Sequence, residues 1–141
     1  MAKESGLGWT AMSVDDSSGT LRDIRADCTS LTIATPRAVQ DITGIDVYAM
    51  ERLLLLADMS LSLTGVFNDA TNYSHDVFKT VPSTSVAREF TLTVSGQTLG
   101  TTPTASLLFT DYPLARAATG ELTWTVPGVL ANGVLPTWTS A

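Results

Sequence analysis

The stretch ERLLLLADMSLSLTGVF, residues 51–67, opens like a buried helix with four consecutive leucines and closes like a strand. Taking every second residue decides between the two. Leu53, Leu55, Ala57, Met59, Leu61, Leu63 and Phe67 form an apolar row interrupted only by Gly65. The other row, Leu54, Leu56, Asp58, Ser60, Ser62, Thr64 and Val66, is polar in its middle. On a helix, Asp58 and Ser62 would turn onto the face of Leu55 and Leu63, leaving no dry stripe to pack. Period two fits, so 51–67 reads as one long strand, fully buried at its start and half-buried afterwards. Strands ordinarily end after about five or six residues. One this long requires a large sheet.

The rest of the chain follows the same alternation. GWTAMSV and SLTIATP have strand patterns, and Pro36 ends the second or marks an edge. The segment 37–51 carries Arg37, Asp41, Asp46, Glu51 and a glycine, and joins two strands. It is long for a connection, and long loops in compact domains tend to be functional. NDATNYSHDVFKTV contains the one helix expected, capped by Asn68 or Asp69, with Val77, Phe78 and Val81 as its apolar face and Pro82 as its stop. Phe90, Leu92 and Val94 then alternate with threonines, and ASLLFTDYPLARA follows. Leu122, Trp124 and Val126 form another apolar row, and Asn132-Gly133 is a strong hairpin signal. The expected architecture is a single mainly β domain over 1–141, with one short helix and a long inter-strand loop at about 36–51.

Composition excludes several functions. The 141 residues carry fourteen acids against eight bases, a net charge of −6, with no basic patch to grip a phosphate backbone. The single cysteine, Cys28, forbids an intrachain disulfide and, in its apolar context, reads as a buried inert thiol of a reducing compartment. The start MAKESGLGW has no apolar h-region, so no secretory signal is expected, and the NYS at 72–74 then carries no glycan. No apolar run approaches a membrane span. Ser74, His75 and Asp76 name a triad only on paper, because sequence neighbours do not point at one another. One His and one Cys do not make a zinc set, and DDSSGTLRD lacks a calcium loop's alternate oxygens and closing glutamate. No catalytic residue, metal or cofactor is expected, and the chain reads as non-enzymatic. Several strands instead repeat a Thr/Ser row opposite an apolar one, a wide hydroxyl surface poor in Lys and Arg.

Five ordered blocks, VQDITGID, AMERLLLLADMSLSLTGVFND, SHDVFKTV, SVAREFTLTVSGQTL and LLFTDYPLARAATGELTWTVPGVLANGVLPTW, resemble the major tail tube protein of long-tailed (siphovirus) bacteriophages. The resemblance spans 14–138. It implies a two-sheet β-sandwich or barrel with a flanking helix, in hexameric rings that stack into a tube through which DNA passes. One sheet of each subunit would join its neighbours in a continuous inner β-barrel, and a long loop would reach the adjacent ring. On that resemblance, 37–51, with Arg37, Asp41, Asp46 and Glu51, is the inter-ring loop, and 58–64 belongs to the inner barrel. Asp58, Ser60 and Ser62 are candidate lumen-facing residues, and 73–81 is the helix. The implied partners are further copies of the chain, the tape measure protein, and the tail terminator and distal tail proteins. DNA would pass without specific binding. The implied location is the virion tail, after synthesis in the host cytoplasm. Two alternatives stand beside it: another virion structural protein (head decoration or head–tail connector), and a carbohydrate-binding β-sandwich, which would need clustered exposed aromatics.

Overall fold

The computed structural model describes residues 3, 5–100 and 107–140. The strand pattern expected from alternation is realised as twelve strands and one short helix among these residues. One sheet orders β12 (Trp138–Ser140), β8 (Gln97–Leu99), β7 (Phe90–Val94), β1 (Trp9–Asp15) and β2 (Leu21–Asp23). The second orders β10 (Leu114–Arg116), β11 (Leu122–Leu130), β6 (Ser60–Val66) and β3 (Cys28–Ala34), with β9 (Leu107–Phe109) pairing the far end of β11. Every pairing is antiparallel. The ASLLFTDYPLARA segment supplies β9 and β10, its first two residues lying outside those described.

The core lies between the two sheets. Met12, Val14, Phe90 and Leu92 come from one side, and Leu61, Leu63, Trp124 and Val126 from the other, all buried. Each fully covered side chain of this kind contributes about 1.5–3 kcal/mol, which is why alternation along the strands specifies register so strongly. Helix α1, Ser74–Phe78, closes one end by burying Val77 and Phe78, and the Phe78 ring packs on Trp124 and Phe109. Turns continue past it to Pro82.

Several expectations are corrected. The stretch 51–67 is not one strand: β5 (Arg52–Ala57) ends before Asp58, and β6 begins at Ser60. Its start is exposed instead of buried, because β5 pairs only with β4 (Arg37–Asp41) in a separate two-stranded sheet. The break has a local cause. Pro36 has no N–H to give, and the N–H of Asp58 donates to the Pro36 carbonyl at 2.9 Å, so the ladder is one-sided where the chain leaves the core sheet. Consequently 37–51 is not loop throughout; its first five residues are β4, and the connection proper is 42–51.

The helix is capped by neither Asn68 nor Asp69. Tyr73 occupies the cap position without a side-chain bond, and the buried carboxylate of Asp27 instead accepts the Ser74 N–H at 3.1 Å and the Asn68 amide at 2.9 Å. Asn132-Gly133 makes no hairpin. The Asn132 side chain accepts the Val134 N–H, and the bend carries the chain from β11 in one sheet to β12 in the other. Cys28 is half-buried, its thiol donating to the carbonyls of Ser30 and Thr64, with burial pushing its pKa up.

No periodicity or motif in the sequence marks Arg88, which is 1% exposed. Its guanidinium donates to the carbonyls of Asp15 and Val77 and to the Thr80 hydroxyl, joining β1 to the helix end. Its backbone pairs reciprocally with Leu107. A buried cation with its donors satisfied by carbonyls holds a junction that no local pattern announces.

Candidate assembly surfaces

The β6 alternation has one reading only once the core is placed. Leu61, Leu63 and Gly65 point to the core, so Ser60, Ser62 and Thr64 occupy the outer face. Register extends that face sideways: Ser30, Thr64 and Thr125 lie in one row, and Thr32, Ser62 and Pro127 in the next. Ala34, Ser60, Val129 and Leu108 form a third row, and the Thr64 and Thr125 hydroxyls are 3.3 Å apart. None of these positions is charged.

Asp58 stands apart from its expected companions. It lies outside β6 at the base of the β4–β5 hairpin, exposed, with its carboxylate accepting the Met59 N–H at 2.7 Å. Ser60 and Ser62 lie on the hydroxyl face; Asp58 is at its rim.

The hairpin is the second surface. Nine of the nineteen exposed large apolar side chains among the described residues fall within 39–56. Val39 and Leu54 share one face of the ribbon and Leu53 and Leu55 the other; Leu56 is 86% exposed and Tyr48 fully so. An isolated two-stranded ribbon is marginal in water, and an apolar surface this concentrated marks an interaction site. Arg37 donates to the Leu55 carbonyl across the ribbon. Thr43 ties the connection, its hydroxyl accepting the Glu51 N–H, while Asp41 accepts the Thr43 N–H. Hydrogen bonds from Thr43 hold the Asp41 carboxyl below its usual range. Asp46 and Glu51 are exposed on the same connection. Arg37 and Asp41 thus sit on β4, and Asp46 and Glu51 beyond it.

The triad on paper does not assemble. Ser74 donates to the Val66 carbonyl, His75 pairs with the Tyr112 hydroxyl at 3.2 Å, and Asp76 binds Lys79. No group of three metal-ligating side chains occurs among the described residues, and no helix among them is long and apolar enough to cross a membrane.

These surfaces sit on a fold found in virion tails. A chain in the tail of an empty gene transfer agent (GTA) particle, obtained with helical refinement in C6 symmetry, superposes with a TM-score of 0.72 at 18% identity, covering 99% of both chains. A chain in the virion of a native GTA particle superposes with a TM-score of 0.71 at 17% identity, covering 98% of this chain and 100% of that one. No protein-family model and no curated protein matches the chain.

Proposed function

We propose that this chain is the tube subunit of a long-tailed, phage-like virion: six copies form a ring, and rings stack into a conduit for DNA. The observation that carries this reading is the end-to-end likeness to a chain from a C6-symmetric tail. The two exposed surfaces support it. The uncharged hydroxyl face lines the lumen, with Ser60 and Ser62 on the wall and Asp58 at its rim. The apolar β4–β5 hairpin, with Arg37, Asp41, Asp46 and Glu51, reaches the adjacent ring.

The role is structural, not catalytic. Six copies at −6 each carry −36, yet the wall itself presents neither a cation nor an anion. At physiological salt the Debye length is about 8 Å, so distant acids are screened and a hydroxyl wall neither repels DNA strongly nor gains by releasing its counterions. The partners on this reading are further copies, a tape measure protein, and terminator and distal tail proteins, without specific DNA binding.

Electron microscopy of the purified protein tests the reading. Long hollow rods with sixfold symmetry are the expected result. Persistent monomers at high concentration, or isolated caps and trimers of decoration type, would overturn it.

A further inference from the structure

Resting on the ring reading, a second question is what seals one copy to the next around the ring. Among the described residues the hydroxyl-faced sheet is bounded on one side by β3, paired to β6, and on the other by β10 and β9, each paired to β11; β10 is the edge strand at the end of β11 nearest Trp124. From β3 to β6, to β11, to β10, strand direction reverses three times. β10 therefore runs opposite to β3. Rotation about the ring axis leaves each copy's strand directions along that axis unchanged. The edge β10 of one copy then meets the edge β3 of the next as an antiparallel pair, the polarity of every other pairing in the sheet.

The faces must match as well. Leu114 lies opposite Trp124 in register, so it is on the core side of its sheet, yet on this edge strand it is 46% exposed. Ala115 takes the hydroxyl side. At the other edge, a groove of about 580 Å³ opens between β1 and the core side of β3. Leu7, Trp9, Met12, Arg25, Cys28 and Leu31 are among the residues lining it. Nothing among the described residues fills it.

We propose that Leu114 of one copy seats in this groove of the next, closing the core between subunits while the two strand edges pair. The antiparallel direction also places the turn after β10, with Glu121, toward the start of β3, where Arg25 lies. Arg25 is about half exposed; its guanidinium donates to the Thr10 carbonyl at 2.7 Å and lies 3.7 Å from Asp23, and Glu121 is the acid that the turn brings toward it. Leu114 thus supplies apolar fit, and the turn supplies polarity and direction. The hairpin tip also carries acids, but it leaves the sheet beyond Ala34, at the opposite end of β3 from Cys28.

The native cysteine makes the seat testable. Leu114→Cys is placed in the otherwise native chain, rods are assembled, and a short bifunctional maleimide is added before a denaturing gel. A ladder ending at six is expected, and the ladder disappears when Cys28→Ser is added. Rods that form without this link overturn the inference and leave the ring reading intact. A link from Tyr48→Cys to Cys28 in place of it shows that the hairpin fills the groove and overturns it too. Should Leu114→Cys fail to assemble, alkylation of Cys28 in wild-type rods decides: it is expected to slow by about tenfold or more relative to the unassembled chain as access closes. Equal rates overturn the seat. Absence of rods from the wild-type chain overturns the ring reading and the inference together.

Discussion

The Trp124 ring lies against Gly65 so closely that a Cβ on the glycine would stand 2.4 Å from ring carbon Cζ2. The indole N–H donates to the Val66 carbonyl at 2.7 Å, so the ring cannot slide away without losing its bond. The same Cβ would meet the Asp27 carbonyl at 2.4 Å, and backbone cannot yield as a side chain can. Gly65→Ala is expected to cost about 1–3 kcal/mol through overpacking. Urea denaturation should show a lower midpoint at unchanged slope. Gly6→Ala, where a Cβ meets nothing within 4 Å, is the control and should stay within about 0.5 kcal/mol.

Arg88 gives a second stability test. Replacing it with Ala removes three donors from the carbonyls of Asp15 and Val77 and the Thr80 hydroxyl, and leaves a hole beside the helix. A loss of about 3 kcal/mol or more is expected, since unsatisfied buried acceptors and a cavity add. A thermal midpoint unchanged from wild type would show that the junction is held without it.

The hairpin should be separable from the fold. Arg37 pairs with Ala57 in register, so a short Gly/Ser turn joining those two residues closes the chain without touching the core strands. Stability is expected to change by no more than about 1 kcal/mol, because loop length is a weak term. Electron microscopy should show rings that do not stack. Normal rods from the shortened chain would remove the hairpin from the stacking contact.

On the proposed tube reading, a charge placed in the middle of the hydroxyl face should slow DNA. Ser62 lies between Thr32 and Pro127 on the hydroxyl face, whereas Asp58 is at the rim. With six copies per ring, as proposed, Ser62→Lys would add six cations to each, every one able to bind phosphate and release counterions. Ejection is expected to be slower than wild type at low salt, slower than for Asp58→Lys, and restored as salt rises. Unchanged ejection at low salt from assembled particles would mean that this face does not line the channel.

Acid stability should follow Asp16. Burial raises its pKa, but hydrogen bonds from Ser18, Thr20 and Arg22 outweigh it and hold the carboxyl at about 2. Since the folded value is below the unfolded one of about 3.9, the stabilisation is complete above pH 4 and is lost as pH falls toward 2. Asp16→Asn should flatten the dependence of the thermal midpoint on pH in that window. An unaltered slope would mean the carboxylate contributes nothing to acid stability.

What the sequence determined by itself is what depends on near neighbours. Alternation at Leu61 and Leu63, at Phe90 and Leu92, and at Trp124 and Val126 specifies strands, and the Val77, Phe78 and Pro82 pattern specifies a short helix. In each case the deciding residues lie within one or two turns of each other, so local geometry settles the outcome. The resemblance carried by the ordered blocks reached further, to a tail-type fold. Only the tertiary structure decided where the apolar row stops being core. Leu53 and Leu55 have the same period as Leu61 and Leu63, but no second sheet covers them, and burial depends on what packs opposite rather than on spacing. For the same reason the helix cap comes from Asp27, 47 residues from Ser74, and Asn132-Gly133 turns between sheets instead of within a hairpin. The hydroxyl row became a surface only when register set Ser30, Thr64 and Thr125 side by side. Pairing partners far apart in the chain made that choice, and periodicity along one strand holds no record of them.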